Sequence, residues 1–570
     1  MVERSSRLRP GVRRQLRKVC SFASASCILV ATCHSALSFA RPSLPSNGLA
    51  EAGVAELAGP RHLGLRNQRA PGVQMRQQVD TDQEATMITQ PRVNAASKTA
   101  AIVGSGPAGT LTAIMLAQRG YQSIDIFDEL AAPPPPADAD SWRPGERSYQ
   151  LGLNGRGQKA LREFGCMERI RNYSSSVHGR LSLPKDGPPK ENILKAPGTP
   201  GATKNYVSQV LLRDRLQACL LEEAQKYPQI TVKHGVKCEG VDLSSEQPVL
   251  LLRDSTVAEE EGATRFGPVD LVVGADGVRS AVREALAADP KTSTKFVRFP
   301  DRNERQYKTL PLHPSRVPGT RHDLNWGAGN PGSGLGLDAL PTKEGEMVGV
   351  LLFKPDTPIY DSISGLKSAA DARKFFQENL PQVLPFVDDK DLQLFVDRPI
   401  SRLPSFQMVN GDIHTSLARG AVVLLGDSIK TVKPYFGQGA NSALEDVAVL
   451  RQSLDDAEDD VARAAKLFSK QRAEDARALV RISRSFDGPG KIGTARFVIP
   501  LLMDSLFNKA APWVFSPPVL RALQDERNTF SGLERRKRWE RFLQVMCIGT
   551  ALGATVRFSI FLVRRVLALF

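Results

Sequence analysis

Cysteine is scarce and scattered. The seven cysteines in 570 residues, at positions 20, 27, 33, 166, 219, 238 and 547, form no Cys-x-x-Cys, and no two histidines fall at ligand spacing. A disulfide framework and a structural zinc site are thereby excluded. There is no internal repeat. Long uncharged apolar runs are also missing: Phe542 to Val556 gives fifteen residues before Arg557 intervenes. As a helix that is about 22 Å, against a hydrocarbon core of roughly 30 Å. A basic body is absent too. The net charge is +15, but residues 1–97 contribute +7 and residues 531–570 contribute +6, leaving +2 for everything between. A nucleic-acid groove would need its cations within the folded body, so that class is set aside.

What remains is an ordinary globular composition, 41% apolar and 24% charged, long enough for two to four domains. The first 97 residues read as a targeting leader. They are Arg-rich from Arg4 to Lys18, moderately apolar from Cys20 to Ala40, then acid-poor beyond Phe39-Ala40-Arg41-Pro42. The pattern resembles the signal-plus-transit leaders of complex plastids. A mitochondrial presequence and an extension without an address are the alternatives. At the other end, Arg535-Arg536-Lys537-Arg538 precedes the apolar stretch. The tail 535–570 is read as a shallow anchor on a membrane surface, with a core helix or a full span as alternatives.

Three separated stretches carry the chemistry. Gly104-Ser105-Gly106-Pro107-Ala108-Gly109 follows the apolar run Ala100–Val103 and opens a helical pattern that Gly120 stops; Ile124–Phe127 is the next strand. In such a βαβ unit Gly104 permits the turn, Gly106 lets backbone approach a pyrophosphate, and Gly109 lets helix and strand pack closely. Pro107 and Ala108 begin the helix whose N-terminus faces the anion. Asp128 ends the second strand, placed for a ribose hydroxyl, with Glu129 as its solvated neighbour. An acid there favours an unphosphorylated ribose, hence FAD or NAD.

The second stretch is Gly274-Ala275-Asp276-Gly277, where a carboxylate in a tight turn can meet backbone amides or ribityl hydroxyls. Arg279 follows, within reach of a phosphate. The third is Gly426-Asp427, then Pro434 and Gly437-Gln438-Gly439-Ala440-Asn441. Asp427 is again a strand-end carboxylate. The glycines open a helix whose bare amides and positive end suit the pyrimidine side of a reduced flavin. Asn441 can add a hydrogen bond. Arg213 is either a surface arginine or a cation over the flavin phosphates. One long dinucleotide held at its adenine end, pyrophosphate and ring system needs three such pieces of chain.

With these residues in place, the chain resembles the FAD-dependent aromatic hydroxylases, single-component flavoprotein monooxygenases, and among them the kynurenine 3-monooxygenase group. The likeness runs from Lys98 to Asp455 and includes Arg147-Ser148-Tyr149-Gln150-Leu151-Gly152-Leu153-Asn154-Gly155-Arg156-Gly157, Ala224 to Pro228, Tyr307 to Leu310, Pro434 to Asn441, and Glu445-Asp446. It implies an α/β fold: a Rossmann-like, glutathione-reductase-like FAD-binding domain, an inserted antiparallel-sheet substrate domain and C-terminal helices. The FAD-binding parts are expected at 98–180, 206–300 and 415–470, the substrate domain at 181–205 and 301–414, and helices at 471–534. The residue patterns themselves read as helices over 158–171 and 210–226, a strand over 230–241, a loop over 181–205 rich in Pro, Gly and Lys, and an antiparallel sheet over 301–414.

The resemblance also implies NADPH as reductant, O₂ as co-substrate, a flavin hydroperoxide as oxygen donor and a small aromatic substrate. Arg147 and Arg213 would contact FAD, Arg180 would hold a substrate carboxylate, and Pro434 and Asn441 would border the reacting ring. Two departures stand out. Ser428-Ile429-Lys430 replaces the family's Ala-Ala-His, and Lys195 to Gly198 stands where the family has the tyrosine that partners the arginine. Hydroxylation or epoxidation of a membrane-soluble polyene in a plastid is the second enzymatic reading. A flavin-free lipid carrier of the same fold is the non-enzymatic one.

Overall fold

The computed structural model describes residues 94–142, 149–199, 204, 206–254, 263–330 and 332–568. Nearly all of the leader therefore lies outside the described residues, and so does Arg147. The chain divides into a large unit, Ile88–Glu540, and a second unit that contains Arg541–Phe570.

The large unit begins with the expected βαβ motif. Strand β1 (Thr99–Val103) leads into helix α1 (Pro107–Arg119), then β2 (Ser123–Asp128). Gly120 ends α1 in the left-handed region at φ 91°, a conformation that costs glycine nothing. Strands β3 (Ile230–His234), β4 (Leu271–Gly274), β5 (His414–Ser416) and β6 (Ala421–Leu424) complete a six-stranded sheet in the order β5-β6-β4-β1-β2-β3. All neighbours are parallel except β5–β6. Three short segments far apart in sequence thus become adjacent strands with a common direction. The fully buried burial patterns of β4 and β6 fit strands covered on both faces.

The substrate domain is a seven-stranded sheet in which Gln306–Leu312, Asn325–Asn330, Leu335–Pro341 and Met347–Phe353 pair antiparallel except where Asn325–Asn330 runs parallel to Gly179–Leu183. One face packs Leu181, Trp326, Leu337 and Leu351 on the helices Pro358–Ser364, Ala369–Asn379 and Asp389–Asp397. Alternation sends Arg180, Asp338, Tyr307, Val350 and Leu352 to the other face.

Several expectations are corrected. The stretch 181–205, read as loop, contains the strands Gly179–Leu183 and Lys190–Ile193. The helix placed at 210–226 begins at Arg213; residues 208–212 are a strand paired on both sides, and helix α2 is Arg213–Ala224. The helix expected over 158–171 is two helices, Gly155–Glu163 and Met167–Arg171, separated at Gly165 with φ +74°. The strand read over 230–241 is likewise two, with Gly235 at φ +74° between them. Residues 301–414 hold a helical layer as well as the sheet.

Helix α3 (Gly439–Asp456) is followed by α4 (Val461–Ser485), which runs across the expected boundary at 470, then by α5 (Gly490–Ala510). The last helix, α6 (Phe530–Leu567), is not interrupted at Arg557. Within Phe530–Arg565 it reaches a mean hydropathy of 1.7, long and apolar enough to cross a membrane by length and composition.

Candidate cofactor site

Because β1, β4 and β6 lie side by side, their C-terminal turns open on one edge of the sheet, the place where doubly wound sheets hold nucleotides. The turns touch. Gly104 sits at φ +98°, its amide donates to Phe127 O at 2.7 Å, and a Cβ on it would stand 2.5 Å from Ala275 O. The Ala275 amide in turn donates to Val103 O at 2.8 Å. A Cβ at Gly109 would overlap the Gly104 carbonyl oxygen, and one at Gly426 would stand 3.8 Å from the Ala108 Cβ. Close backbone approach demands glycine at 104 and 109, and at 426 a left-handed φ of +62° favours it.

Asp128 lies beside the first turn. Its Oδ2 accepts from the Ser105 amide at 2.7 Å and the Ser105 hydroxyl at 2.8 Å, and its Oδ1 from Leu130 N at 2.9 Å. Gln217 of α2 donates to the same Ser105 hydroxyl at 2.8 Å. The carboxylate therefore braces the turn with its protein partners, and a ribose would share its remaining lone pairs. Arg213, first residue of α2, reaches the mouth of the turn: its Nη2 is 3.5 Å from where a Gly106 Cβ would be. Its Nη1 pairs with Asp214 at 2.8 Å. Burial opposes its charge, but Tyr149, Asp214 and Asp427 outweigh that and hold the guanidinium protonated.

Asp276 sits between the first two turns. Burial pushes its carboxyl above the ordinary range, opposed by the Ser280 hydroxyl and the Val282 amide. Oδ2 accepts from Val282 N at 3.2 Å, while Oδ1 is buried with no hydrogen-bond donor among the described residues. Gly277 follows at φ +71°.

Asp427 is the most telling residue. Its side chain is open to solvent, yet surrounding protein raises its carboxyl, with Lys430 and Arg213 pulling it back. Such a combination marks the wall of a cleft. None of its hydrogen bonds goes to a described residue, although Gly426 beside it is anchored through its amide to Asp446 Oδ2 at 2.9 Å. Tyr149 closes the other side: burial raises its hydroxyl, and Arg213, Asp427 and Tyr307 all act on it electrostatically. Tyr307 belongs to the substrate-sheet face that turns away from the helices, so that face borders the cleft.

The third stretch divides by role. Pro434 and Gly437 are exposed on the rim, with Gly437 left-handed at φ +59°. Gln438 is buried and donates to Leu523 O at 3.2 Å. The Ser442 amide is the first of α3 to find an acceptor in its own helix, Gln438 O at 2.8 Å. The amides of Gly439, Ala440 and Asn441 precede it and lack a helical acceptor. The Asn441 side chain does not face the cleft as a free donor. It accepts from Asn154 N at 2.9 Å and donates to Gly152 O at 2.8 Å and Gly437 O at 2.7 Å. Its amide joins two loops.

Lys430 does not place its ammonium in the open cleft. It is buried against Asp446 at 2.9 Å, in a network where Arg472 also bonds Asp446 and pairs with Glu445 at 2.7 Å. Against burial, Arg472 and Lys430 hold the Asp446 carboxyl below its ordinary range. Arg180 lies on the cleft-side face of the substrate sheet, over Gly327, with Nη2 2.6 Å from Asp338 Oδ1 and both side chains about half exposed. Asp338 gave no sequence signal; it is legible only from its register opposite Gly327.

The donor set fits FAD. Bare helix-start amides and Arg213 suit a pyrophosphate, and carboxylates without a full complement of donors suit ribityl hydroxyls.

Comparison with known proteins agrees. The family described as FAD binding domain matches residues 97–301 and 364–483. The kynurenine 3-monooxygenase of Salinispora tropica is 27% identical over 357 residues, 62% of this chain and 72% of that protein. The kynurenine 3-monooxygenase of Candida albicans is 24% identical over 473 residues, 80% of this chain and 95% of that one. A tetrameric form of 2-methyl-3-hydroxypyridine-5-carboxylic acid oxygenase superposes with a TM-score of 0.51 at 16% identity, covering 70% of this chain and 95% of that chain. This last likeness concerns the fold.

Proposed function

This chain belongs to the FAD binding domain family and is an FAD-dependent monooxygenase, and from that premise we propose that it hydroxylates an aromatic amino acid of the kynurenine type with NADPH as reductant. Bound FAD supplies the redox chemistry and the activation of O₂. The chain's own residues bind and position. Gly104, Gly106 and Gly109 admit the pyrophosphate, and Arg213 balances its charge. Asp276 and Asp427 accept from the ribityl chain, and Arg147 is kept as a further FAD contact on the strength of the family resemblance alone. The first amides of α3, at Gly439 to Asn441, stabilise negative charge on the reduced ring. Pro434 and Gly437 shape the rim beside it.

The substrate ring is placed against the sheet face of Tyr307, Val350 and Leu352, which excludes water. Arg180 takes the carboxylate in a charge-assisted pair. Asp338, 2.6 Å from Arg180, suits the substrate ammonium, so the pair reads a zwitterionic head group. The Arg-rich leader and apolar tail point to an organelle membrane as the site of action, plastid or mitochondrial, with the tail as anchor. The observation that carries the assignment is Asp427: a carboxylate with no hydrogen-bond donor among the described residues, on the wall where three glycine turns meet.

The test is substrate-stimulated NADPH oxidation, with product identified, across kynurenine, simple phenols and carotenoids. Stimulation by kynurenine with a hydroxylated product is expected. Stimulation by a carotenoid alone would replace the amino-acid substrate, and a purified protein without flavin absorbance would remove the enzyme.

A further inference from the structure

We infer that the solvent face of α5 is a second bilayer contact, an interfacial helix beside the root of α6. Ile492, Ile499, Leu502 and Leu506 are 71%, 54%, 64% and 57% exposed. Their spacing of seven, three and four residues puts them on one stripe. The helix is apolar on both its inner and outer sides, unlike an ordinary surface helix. Its inner side carries the buried acid Asp504, while Leu501 packs on the cluster of Leu479, Leu523 and Phe530, and Phe507 meets Phe515 ring to ring at 4.9 Å. Trp513, just beyond the helix, is 72% exposed, an amphipathic ring of the kind that favours headgroup depth.

Lipid is the occupant for two reasons. The first is charge: the exposed charged residues described on α5, Arg496 and Lys509, are both cations, and Arg535 and Arg538, which flank the Lys537 that pairs with Asp504 of α5, are exposed, as anionic headgroups require. The second is connection to the apolar tail, so the inference rests on the membrane reading of α6 given above. Lys537 pairs with Asp504 of α5 at 3.2 Å, and Glu540 accepts from the Ser516 amide at 2.8 Å and the Ser516 hydroxyl at 3.0 Å. The first turns of α6 and the apolar stripe of α5 are therefore fixed to one another within the large unit. The uncharged run begins two residues after Glu540. A bilayer entered by that run starts within a few ångströms of chain from the group that ties down α5.

The experiment uses the full chain with FAD bound. Trp142 and Trp326 are buried, so a Trp539→Phe variant leaves Trp513 as the exposed reporter. Vesicles of phosphatidylcholine, with and without phosphatidylserine and with brominated acyl chains, are mixed with it and floated. Flotation with quenching of Trp513 emission, stronger with phosphatidylserine, is expected. Flotation without quenching overturns the α5 contact and leaves the tail reading standing. Failure to float overturns both. In Leu502→Glu/Leu506→Glu, vesicle affinity should fall about tenfold or more with flavin absorbance unchanged, and an unchanged affinity overturns the inference. So does a lipid-free dimer that this double substitution dissociates, since a second copy would then be what covers the stripe.

Discussion

Replacing Asp427 by Asn should separate cofactor binding from folding. The carboxylate makes no hydrogen bond to a described residue, so the substitution breaks none of those, and Gly426 remains anchored on Asp446. What is lost is the charge: the amide oxygen of Asn can still accept from a flavin hydroxyl, but as a neutral group, and its nitrogen cannot accept at all. A hydrogen bond to a charged group contributes about 1.5–3 kcal/mol against about 1 kcal/mol for a neutral one, so the Kd for FAD should rise roughly 2- to 30-fold. Stability of the apoprotein should move the other way. The protein surrounding this solvent-facing side chain raises the folded-state pKa of Asp427. A raised carboxyl binds more protons folded than unfolded, so its charge is a liability that grows with pH. Below the ordinary carboxylate value of about 3.9 wild type and Asn variant should differ little. As pH rises through the raised folded value, wild type should lose stability relative to the variant, which is then the more stable at neutrality. FAD titration of apoprotein followed by flavin fluorescence, and urea unfolding across that pH range, measure the two effects. An unchanged Kd, or a variant less stable at every pH, would refute the reasoning.

Gly104→Ala combines a left-handed φ of +98° with a Cβ 2.5 Å from Ala275 O; a loss of roughly 3 kcal/mol or more in urea unfolding, with failure to retain FAD, is expected. Lys430→Met leaves buried Asp446 with Arg472 alone among the cations paired with it, and should cost about 3 kcal/mol; a loss under about 1 kcal/mol would show the pair to be dispensable. Arg180→Ala and Asp338→Asn should each raise KM for kynurenine with smaller effect on kcat, and Asp338→Asn should matter little for the deaminated acid. Equal KM values for all three proteins would move the substrate head group away from this pair.

Much of the cofactor site was readable because its signals are local. The turn at Gly104 to Gly109 announces itself through a short apolar run, a helical period and a terminal acid, all within one βαβ unit. Other segments misled for identifiable reasons. Gly179–Leu183 is a strand near a sheet edge whose alternation spans only five residues, too few to stand out beside the prolines and lysines that follow. Val210–Leu212 is a short apolar run directly before the helix, which periodicity cannot divide between buried strand and helix start; pairing of 208–212 with strands on either side decides it. Asn441 looked like a ligand-facing amide, and only the packed loops show where its hydrogen bonds go. Lys430 looked like a charge beside the flavin, and only the depth of Asp446 explains it.

The sequence alone therefore determined the glycine turns at the strand ends and the cofactor class, because glycine tolerance and strand-end carboxylates are properties of a few neighbouring residues. The tertiary structure alone decided that β1, β4 and β6 adjoin, that Asp427 has no hydrogen-bond partner among the described residues, and that Arg180 meets Asp338 across Gly327. Those facts depend on register between strands more than a hundred residues apart, and no local period encodes which strand lies beside which.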